Sequence, residues 1–255
     1  MVGYRFWNVG TEKPNMAIIA RVHGNEGGLE ALENVSTYPI STGSSYFIEA
    51  NVGAAKRGKR FLEEDLNRVW ELEGFYDNSK SIVHERKLAY MLYHNLLNGI
   101  GKTLSIHTTT GSTPPMIISP EINPLIHTVP IENVVIYGDR GRYSASMNNF
   151  LTKMGKDAIT IECHKQTAIE EIEAWVERFL VENGMRFEDR KVDLTPVEKK
   201  YFCITGTVGL KEAMEYPDVK NFETIGKGDE VAIFAGEKAY ELEGIGFLTA
   251  RPMDI

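Results

Sequence analysis

The chain has 255 residues, of which 42% are hydrophobic and 25% charged, and its formal net charge is −8. This composition is typical of a globular protein with a substantial core. The negative charge argues against nucleic acid as a partner, because phosphate binding needs clustered lysine and arginine side chains. Two cysteines are too few for a disulfide framework or a cysteine-based zinc site. Since no apolar run resembles a signal peptide or a membrane span, we expect a cytoplasmic protein.

Short apolar runs bounded by turn residues predict the strands of a sheet. The first run covers residues 16–22 and leads into a glycine-rich loop and a short helix over 28–35. Further strands are predicted at residues 46–52, 103–107, 116–119, 133–137 and 158–162. Because the strands alternate with helices, the expected fold class is α/β, with a mixed, mostly parallel sheet flanked by helices.

Apolar residues at helical spacing predict two longer helices. The first spans residues 79–98, with Ile82 on its inner face, and the second spans residues 168–183. Thr167 and Glu170 have the spacing of a capping box at the start of the second helix.

The pattern of the chain changes after Gly184. Charged and turn residues dominate up to Lys200, and short β-prone runs separated by glycine or proline follow. We therefore expect a main domain over residues 1–188 and a small β-rich C-terminal domain over residues 189–255.

Two potential metal ligands follow the first predicted strand. This strand ends in His23-Gly24-Asn25-Glu26, where an imidazole and a carboxylate stand three residues apart in a glycine-rich turn. Ligands bind at the carboxyl ends of strands in open α/β sheets, and a histidine with a carboxylate suits zinc. The alternative is an ordinary Gly-Asn turn with a solvated Glu26.

Two later strands end in side chains of the same kind. His107 closes one predicted strand and Glu162 closes another. In a parallel sheet these ends lie at one edge, so both side chains can converge with His23 and Glu26. Two histidines and a glutamate are the ligand set of a catalytic zinc. A further glutamate is what such a site needs as general base for a water molecule that the metal activates.

A third feature is the pair Asn67-Arg68. Arginine binds a carboxylate through two parallel hydrogen bonds, and a neighbouring amide adds directional ones. The pair therefore predicts a site for the carboxylate of a small substrate. In the alternative interpretation, Asp65 and Arg68 form a surface ion pair in a turn.

Taken together, these residues resemble the succinylglutamate desuccinylase/aspartoacylase family, a branch of the zinc carboxypeptidase superfamily. His23-Gly24-Asn25-Glu26 is similar to the family's H-G-N-E metal motif. Arg60-Phe61, followed by Asp65-Leu66-Asn67-Arg68, is similar to its R-[YF]-x-x-x-D-L-N-R motif.

The resemblance continues along nearly the whole chain. His107, with Thr109 after it, resembles the third ligand in a D-x-H-x-T pattern, and Glu162 resembles the catalytic glutamate at the end of a late strand. Glu237-Lys238-Ala239-Tyr240 is similar to the C-terminal segment whose tyrosine reaches over the substrate.

The resemblance implies a zinc carboxypeptidase-like fold and a role for each matching residue. The metal ligands that it implies, for one Zn²⁺ per chain, are His23, Glu26 and His107. Glu162 would deprotonate the attacking water and pass the proton to the leaving amine, and Arg60 would stabilise the oxyanion. The substrate-binding residues that it implies are Asn67, Arg68 and Tyr240. Tyr240 would make the C-terminal domain cover the active site.

The chain also departs from the family's pattern. Ser105 replaces the aspartate of D-x-H, which leaves the orientation of His107 open. Cys163-His164 replaces the valine- or leucine-glycine that often follows the catalytic glutamate. His164 is either a substrate contact or a hydrogen-bonded histidine beside the strand end. Thr152-Lys153 stands where aspartoacylases use an arginine for the acyl carboxylate, so the acyl group stays unassigned.

We therefore expect a zinc-dependent amidohydrolase that cleaves an N-acyl amino acid, or a similar small acylated amine, with metal-activated water. The alternatives are a zinc carboxypeptidase acting on short peptides and a catalytically silent metal- or ligand-binding homologue. The expected partner is a small anionic acylated substrate, with neither nucleic acid nor a membrane. The oligomeric state, including a homo-oligomer, stays open.

Overall fold

The computed structural model describes most of the chain up to residue 209. The described residues are 3–13, 15–110, 113–139, 143–186 and 192–209, with the backbone of 214–215, 233–234 and 246–252. Side chains are described up to residue 203.

A mixed sheet forms the centre of the described fold. Its strands are β1 (Arg5–Gly10), β2 (Asn15–Ala20), β3 (Ser44–Glu49), β4 (Lys102–Thr109), β5 (Met116–Ser119), β6 (Asn133–Ile136), β7 (Asp157–His164), β8 (Lys200–Gly209) and β11 (Gly246–Pro252). Between β8 and β11 in the chain, β9 (Met214–Glu215) and β10 (Ile233–Phe234) pair with each other in a separate two-stranded sheet. The described strands run in the order β1-β3-β2-β4-β7-β5-β6-β8-β11. Five neighbouring pairs are parallel (β2–β3, β2–β4, β4–β7, β5–β6 and β6–β8) and three are antiparallel. The predicted mixed, mostly parallel sheet is confirmed.

Helices cover both faces of this sheet. Their bounds are α1 (Leu29–Ser36), α2 (Val52–Ala55), α3 (His84–Asn95), α4 (Met147–Lys153) and α5 (Ile169–Glu182). Apolar residues of α1 and α5 pack in one core, and those of α3 and α4 pack in a second core. Ile18 belongs to the first core and its neighbour Ile19 to the second, so β2 is buried on both faces. No helix in the described residues is long and apolar enough to cross a membrane.

The predicted helix over 168–183 is confirmed as α5, but its predicted capping box is wrong. The N-cap residue is Ala168, and no side chain caps the helix. Thr167 instead belongs to the turn after β7, where its N–H donates a hydrogen bond to the carbonyl of His164 at 2.9 Å. Leu29–Ser36 likewise confirms the predicted short helix within one residue at each end.

The predicted helix over 79–98 is shorter in the structure. A 3₁₀ helix over Phe75–Lys80 precedes α3, and α3 itself spans His84–Asn95. Between them the backbone is extended at Ser81 and Val83. Ile82 lies in this break and is 97% exposed, so its predicted place on the inner face is wrong.

Elements without a counterpart in the predictions include β1, α4 and the four-residue helix α2. Strand β1 is half exposed and pairs antiparallel with β3 at the edge of the sheet. Helix α4 begins at Ser146, whose hydroxyl accepts a hydrogen bond from Asn149 N–H. Neither segment shows a clear apolar period, because β1 faces solvent and α4 carries three asparagine and threonine side chains in seven residues.

The described C-terminal strands extend the main sheet. β8 pairs parallel with β6, and β11 pairs antiparallel with β8. The predicted β-rich domain over 189–255 otherwise lies largely outside the described residues, so its boundary and its position over the site stay predictions.

An aromatic cluster joins α4 to the segment before α3. The ring of Phe150 on α4 lies 4.4 Å from the ring of Phe75, 5.0 Å from that of Tyr93 and 5.7 Å from that of Trp70, between centroids. All four side chains are buried. The cluster therefore packs the segment over residues 66–75, which carries Trp70 and Phe75, against α3 and α4.

We expect Phe150→Ala to lower the free energy of unfolding by about 3–5 kcal/mol, because it leaves a cavity inside this cluster. Urea denaturation followed by circular dichroism measures the change. Phe6→Ala is the matched control, since Phe6 is 46% exposed and its truncation should cost about 1 kcal/mol or less. Equal losses for the two variants would contradict this packing.

Candidate metal centre and active site

The carboxyl ends of three neighbouring strands meet at one edge of the sheet. β2 lies beside β4 and β4 lies beside β7, with all three parallel. The loop after β2 carries His23 and Glu26, β4 carries His107, and β7 carries Glu162. His107 and Glu162 are paired in register, so their side chains project from the same face. The fold thus brings these four residues to one place.

The loop after β2 is tight because Gly24 lies directly against α2. A Cβ atom at this position would lie 2.3 Å from the nitrogen of Ala55 and 2.4 Å from the carbonyl carbon of Ala54. The Gly24 N–H also donates a hydrogen bond to the carbonyl of Arg60 at 2.9 Å. Only glycine fits where the His-Gly-Asn-Glu segment packs against the strand-to-helix connection and the segment of Arg60.

The side chains of His23, Glu26 and His107 form a buried group that could hold a metal ion. Glu26 Oε1 lies 2.6 Å from Nδ1 of His23 and 3.0 Å from Nδ1 of His107. One ligand atom from each residue lies within 4.8 Å of the others. Two imidazole nitrogens and a carboxylate oxygen are the donor set of a catalytic zinc site with a further position for water. The donors present therefore fit zinc.

Burial and close contacts set the protonation of these groups. Burial disfavours the charged imidazolium, but hydrogen bonds to Asp65 and Glu26 raise the pKa of His23 above its ordinary value. Burial also opposes ionisation of Glu26, yet His107 and His23 lower the pKa of its carboxyl to about 2. Glu26 is thus ionised at neutral pH. A cation would replace the protons shared with the imidazoles, so its affinity should fall as the pH falls.

The outer nitrogen of His23 faces Asp65 and Arg60. His23 Nε2 lies 2.9 Å from Asp65 Oδ1 and 2.9 Å from Arg60 Nη2, and Arg60 also pairs with Asp65 Oδ2 at 3.0 Å. Burial opposes ionisation of Asp65, but His23 and Arg60 hold the pKa of its carboxyl well below its ordinary value. With Nδ1 directed at Glu26 and Nε2 at a carboxylate, His23 has the orientation of a metal-binding histidine with an outer carboxylate partner.

Asp65 is therefore part of the site, although the sequence suggests only a surface ion pair for it. Its carboxylate contacts His23 and Arg60 instead of lying at a surface turn. The signal that could have found this role is its position at the start of Asp65-Leu66-Asn67-Arg68, the segment that the family pattern also contains.

The outer nitrogen of His107 has different surroundings. Ser105 lies two residues earlier on the same face of β4, and its hydroxyl contacts Thr160 Oγ1 at 2.7 Å. Thr160 Oγ1 also accepts a hydrogen bond from Asn148 Nδ2 at 2.8 Å. Within the part of the chain that the structure describes, the buried Nε2 of His107 has no hydrogen-bond partner. Where the family pattern has an aspartate, this chain therefore has a neutral group made of two hydroxyls and one side-chain amide.

Glu162 lies beside His107 on the neighbouring strand β7. Burial raises the pKa of its carboxyl, with Glu26 acting in the same direction and the charges of His107, His23 and Arg60 opposing it. A carboxylate with a raised pKa is a better base near neutral pH. Its register position beside His107 puts this carboxylate next to the group that could hold a metal ion.

Asn67 and Arg68 lie in a 3₁₀ turn that Asp65 caps. Asp65 Oδ1 accepts a hydrogen bond from the Asn67 N–H at 2.8 Å. The amide oxygen of Asn67 accepts a hydrogen bond from the Met147 N–H at the start of α4, at 2.9 Å. The guanidinium of Arg68 lies over the ring of Tyr143, 5.3 Å from its centroid. The carboxylate of Asp65 thus connects the metal-binding loop with the predicted substrate-binding pair.

The remaining predicted residues have different outcomes. Tyr240 lies outside the described residues, so its place over the site stays a prediction. His164 lies two residues after Glu162 on the same strand, and its Nδ1 accepts a hydrogen bond from Gln166 N–H at 3.2 Å. Cys163 is buried in the core between them, and burial raises the pKa of its thiol to about 11. Its thiol donates a hydrogen bond to the carbonyl of His107 on the adjacent strand at 3.6 Å.

Solved structures of the same fold include several bacterial proteins. The succinylglutamate desuccinylase/aspartoacylase from Rhodobacter sphaeroides is 12% identical, covers 80% of this chain and 68% of its own, and has a TM-score of 0.61. An aspartoacylase family protein from Mesorhizobium loti is 18% identical over 97% of this chain and 79% of its own, with a TM-score of 0.69. The ectoine utilization protein EutE (DoeB) from Ruegeria pomeroyi is 15% identical over 99% of this chain and 80% of its own, with a TM-score of 0.64.

At these identities the similarity establishes the fold alone. No curated protein matches the sequence. The family model for the succinylglutamate desuccinylase/aspartoacylase catalytic domain, however, matches residues 12–187, which include every site residue named above except Tyr240. The chain therefore belongs to the succinylglutamate desuccinylase/aspartoacylase family.

Proposed function

We propose that this protein is a zinc-dependent hydrolase that cleaves the amide bond of an N-acyl amino acid or a similar small acylated amine. The observation that carries the proposal is the buried group of His23, Glu26 and His107 with the carboxylate of Glu162 on the neighbouring strand. Membership in a family of hydrolases supports the reaction class.

His23, Glu26 and His107 are the proposed ligands of one zinc ion. A zinc ion bound there would polarise the amide carbonyl and lower the pKa of a water molecule to about 7. The outer contact of His23 with Asp65 keeps Nδ1 directed inward, which favours binding by that nitrogen.

Glu162 is the proposed proton carrier. Its carboxylate takes a proton from the attacking water, which makes the oxygen a better nucleophile. The same carboxyl then gives the proton to the amine nitrogen as the carbon–nitrogen bond breaks. This transfer is needed because an amine leaves as the neutral molecule far more readily than as an amide anion.

Arg60 is the proposed oxyanion donor. Its guanidinium lies against His23 and Asp65 at the edge of the metal-binding group, and its side chain is 47% exposed. A single donor of this kind typically contributes about 3 kcal/mol to transition-state stabilisation. Partial exposure should keep Arg60 below that value, because water screens its charge.

Asn67 and Arg68 are the proposed binding residues for the carboxylate of the amino-acid portion. A chain with a net charge of −8 needs local cations to bind a small anionic substrate, and Arg60 and Arg68 supply them beside the site. Tyr240 is proposed to cap the substrate from the C-terminal segment and so exclude longer peptides. The name succinylglutamate desuccinylase, which structural relatives carry, makes the succinyl group the first acyl group to test.

We expect Glu162→Gln to lower turnover of N-acetyl, N-formyl and N-succinyl amino acids by about 10²–10⁴-fold, because the amide cannot accept the proton from water. Metal analysis of the purified variant should still find one zinc ion per chain. Loss of the metal together with the activity would instead make Glu162 a ligand.

The wild-type protein, assayed in parallel on blocked dipeptides, separates the alternatives. Peptide hydrolysis without deacylation would favour the carboxypeptidase. Bound zinc with turnover of neither substrate class would favour the silent homologue. No bound metal, and none taken up on reconstitution, would refute the proposed function.

The pKa of Glu162 also predicts the acid limb of the pH profile. The base must be ionised, and burial raises its pKa above the ordinary 4.5 in spite of the nearby charges of His107, His23 and Arg60. We therefore expect kcat/KM to rise with pH through a midpoint above 4.5. Arg60→Lys keeps the positive charge, so it should lower kcat but leave that midpoint in place. An acid limb that persists unchanged in Glu162→Gln would contradict the role of Glu162.

We expect Arg68→Lys to raise KM for N-acyl amino acids by about 10- to 100-fold, because lysine cannot replace a charge-assisted, two-point hydrogen bond to a carboxylate. The matched control is the acylated amine that lacks the carboxylate. The wild type and the variant should hydrolyse this amine with similar kcat/KM. An equal loss on both substrates would show that Arg68 acts on the structure of the site and not on the carboxylate.

A further inference from the structure

A buried carboxylate near the site has no role in the mechanism above. Glu85 lies in the first turn of α3 and is 0% exposed. Its oxygens accept hydrogen bonds from three consecutive backbone N–H groups, those of Leu62 at 2.7 Å, Glu63 at 3.1 Å and Glu64 at 3.2 Å. The side chain of Glu85 therefore binds the backbone of the loop over residues 62–64.

This arrangement is costly unless the geometry of the loop matters. Burying a carboxylate carries a large desolvation penalty, which only well-formed hydrogen bonds offset. Within the described residues no lysine, arginine or histidine forms an ion pair with Glu85, so the loop N–H groups and one side-chain amide compensate its charge. An apolar side chain at this position of α3 would be buried at lower cost but would not fix the direction of three N–H groups.

The loop held by Glu85 connects two residues of the site. Arg60 lies before it and Asp65 directly after it, and both contact Nε2 of His23 at 2.9 Å. A shift of the loop would move these two side chains away from the outer face of the proposed ligand.

A further contact connects Glu85 to α2, the helix that packs against the loop after β2. Glu85 Oε1 accepts a hydrogen bond from Asn51 Nδ2 at 3.2 Å. The amide oxygen of Asn51 caps α2 by accepting a hydrogen bond from the Ala54 N–H at 3.1 Å. The backbone of α2 is the surface against which Gly24 packs. Glu85 thus bridges the loop over residues 62–64 and α2, the helix against which Gly24 next to His23 packs.

We propose that Glu85 is a positioning residue of the metal centre, which acts by holding residues 62–64 so that Asp65 and Arg60 orient His23. This inference rests on the proposed function only for the identity of the metal centre. That Glu85 holds the loop over residues 62–64 does not depend on the proposed function, because it follows from hydrogen bonds within the protein.

Glu85→Gln tests the proposal, because glutamine keeps the shape of the side chain but turns an NH₂ group toward backbone N–H donors. Titration of the metal-free protein with Co²⁺, followed by its visible absorption, should give a dissociation constant raised about 10-fold or more and altered bands. In the Asp65→Asn background, Glu85→Gln should change that constant by a smaller factor than in the wild-type background, because Glu85 acts partly through Asp65.

Glu177→Gln is the matched control. Glu177 is also a buried carboxylate, but it lies on α5 and pairs with Arg186, which follows the end of that helix. Its loss should lower stability without changing Co²⁺ affinity or the absorption bands. An unchanged Co²⁺ titration in Glu85→Gln, an effect that persists in full beside Asp65→Asn, or an equal effect of Glu177→Gln would overturn the proposal.

Amide hydrogen exchange separates this proposal from the function. In the wild type the N–H groups of residues 62–64 should be protected although they lie in a loop, and in Glu85→Gln they should exchange about 10-fold faster or more. Rapid exchange of these amides in the wild type would contradict the claim that Glu85 holds the loop, even if no variant folds. If the wild type binds no Co²⁺, the proposed function fails, and the exchange result alone decides whether Glu85 holds the loop.

Discussion

The contact of one carboxylate oxygen with two imidazoles is the interaction around which this site is organised. Glu26 Oε1 lies against Nδ1 of both His23 and His107, so the contact joins the loop after β2 to the end of β4. It forms because β2 and β4 are adjacent and parallel, which brings their carboxyl ends together. Since all three side chains are buried, each must find a polar partner or a cation inside the protein.

The two histidines of this group are not equivalent. His23 has an ionised carboxylate, Asp65, behind its outer nitrogen, and Arg60 holds that carboxylate in place. His107 lies above the neutral hydroxyl of Ser105, which pairs with Thr160. An outer carboxylate raises the basicity of a metal-binding histidine and fixes its tautomer. The firm orientation in this site therefore comes from the His23 side, on which the loop of residues 60–65 supports the ligand.

Local hydrogen bonds, not the overall charge, decide how this acidic chain holds buried carboxylates. Glu26 is compensated by imidazoles, Asp65 by an imidazole and a guanidinium, and Glu85 by backbone N–H groups. Each carboxylate also joins segments that are distant in sequence. The rigidity of the site thus follows from the same contacts that make the burial of charge tolerable.

The sequence by itself determined the strands at the site, the α/β class and the residue types of the candidate metal centre, because strands buried on both faces appear as apolar runs. It also determined α5, whose apolar residues recur at helical spacing. Only the tertiary structure decided that α3 begins at His84, whose N–H meets the carboxylate of Glu63, and that β5 lies antiparallel beside β7. The contacts of Asp65 with His23 and of Glu85 with the loop over residues 62–64 were likewise decided there. Periodicity reports that a segment is buried, whereas the role of a polar side chain depends on the group that the fold places opposite it.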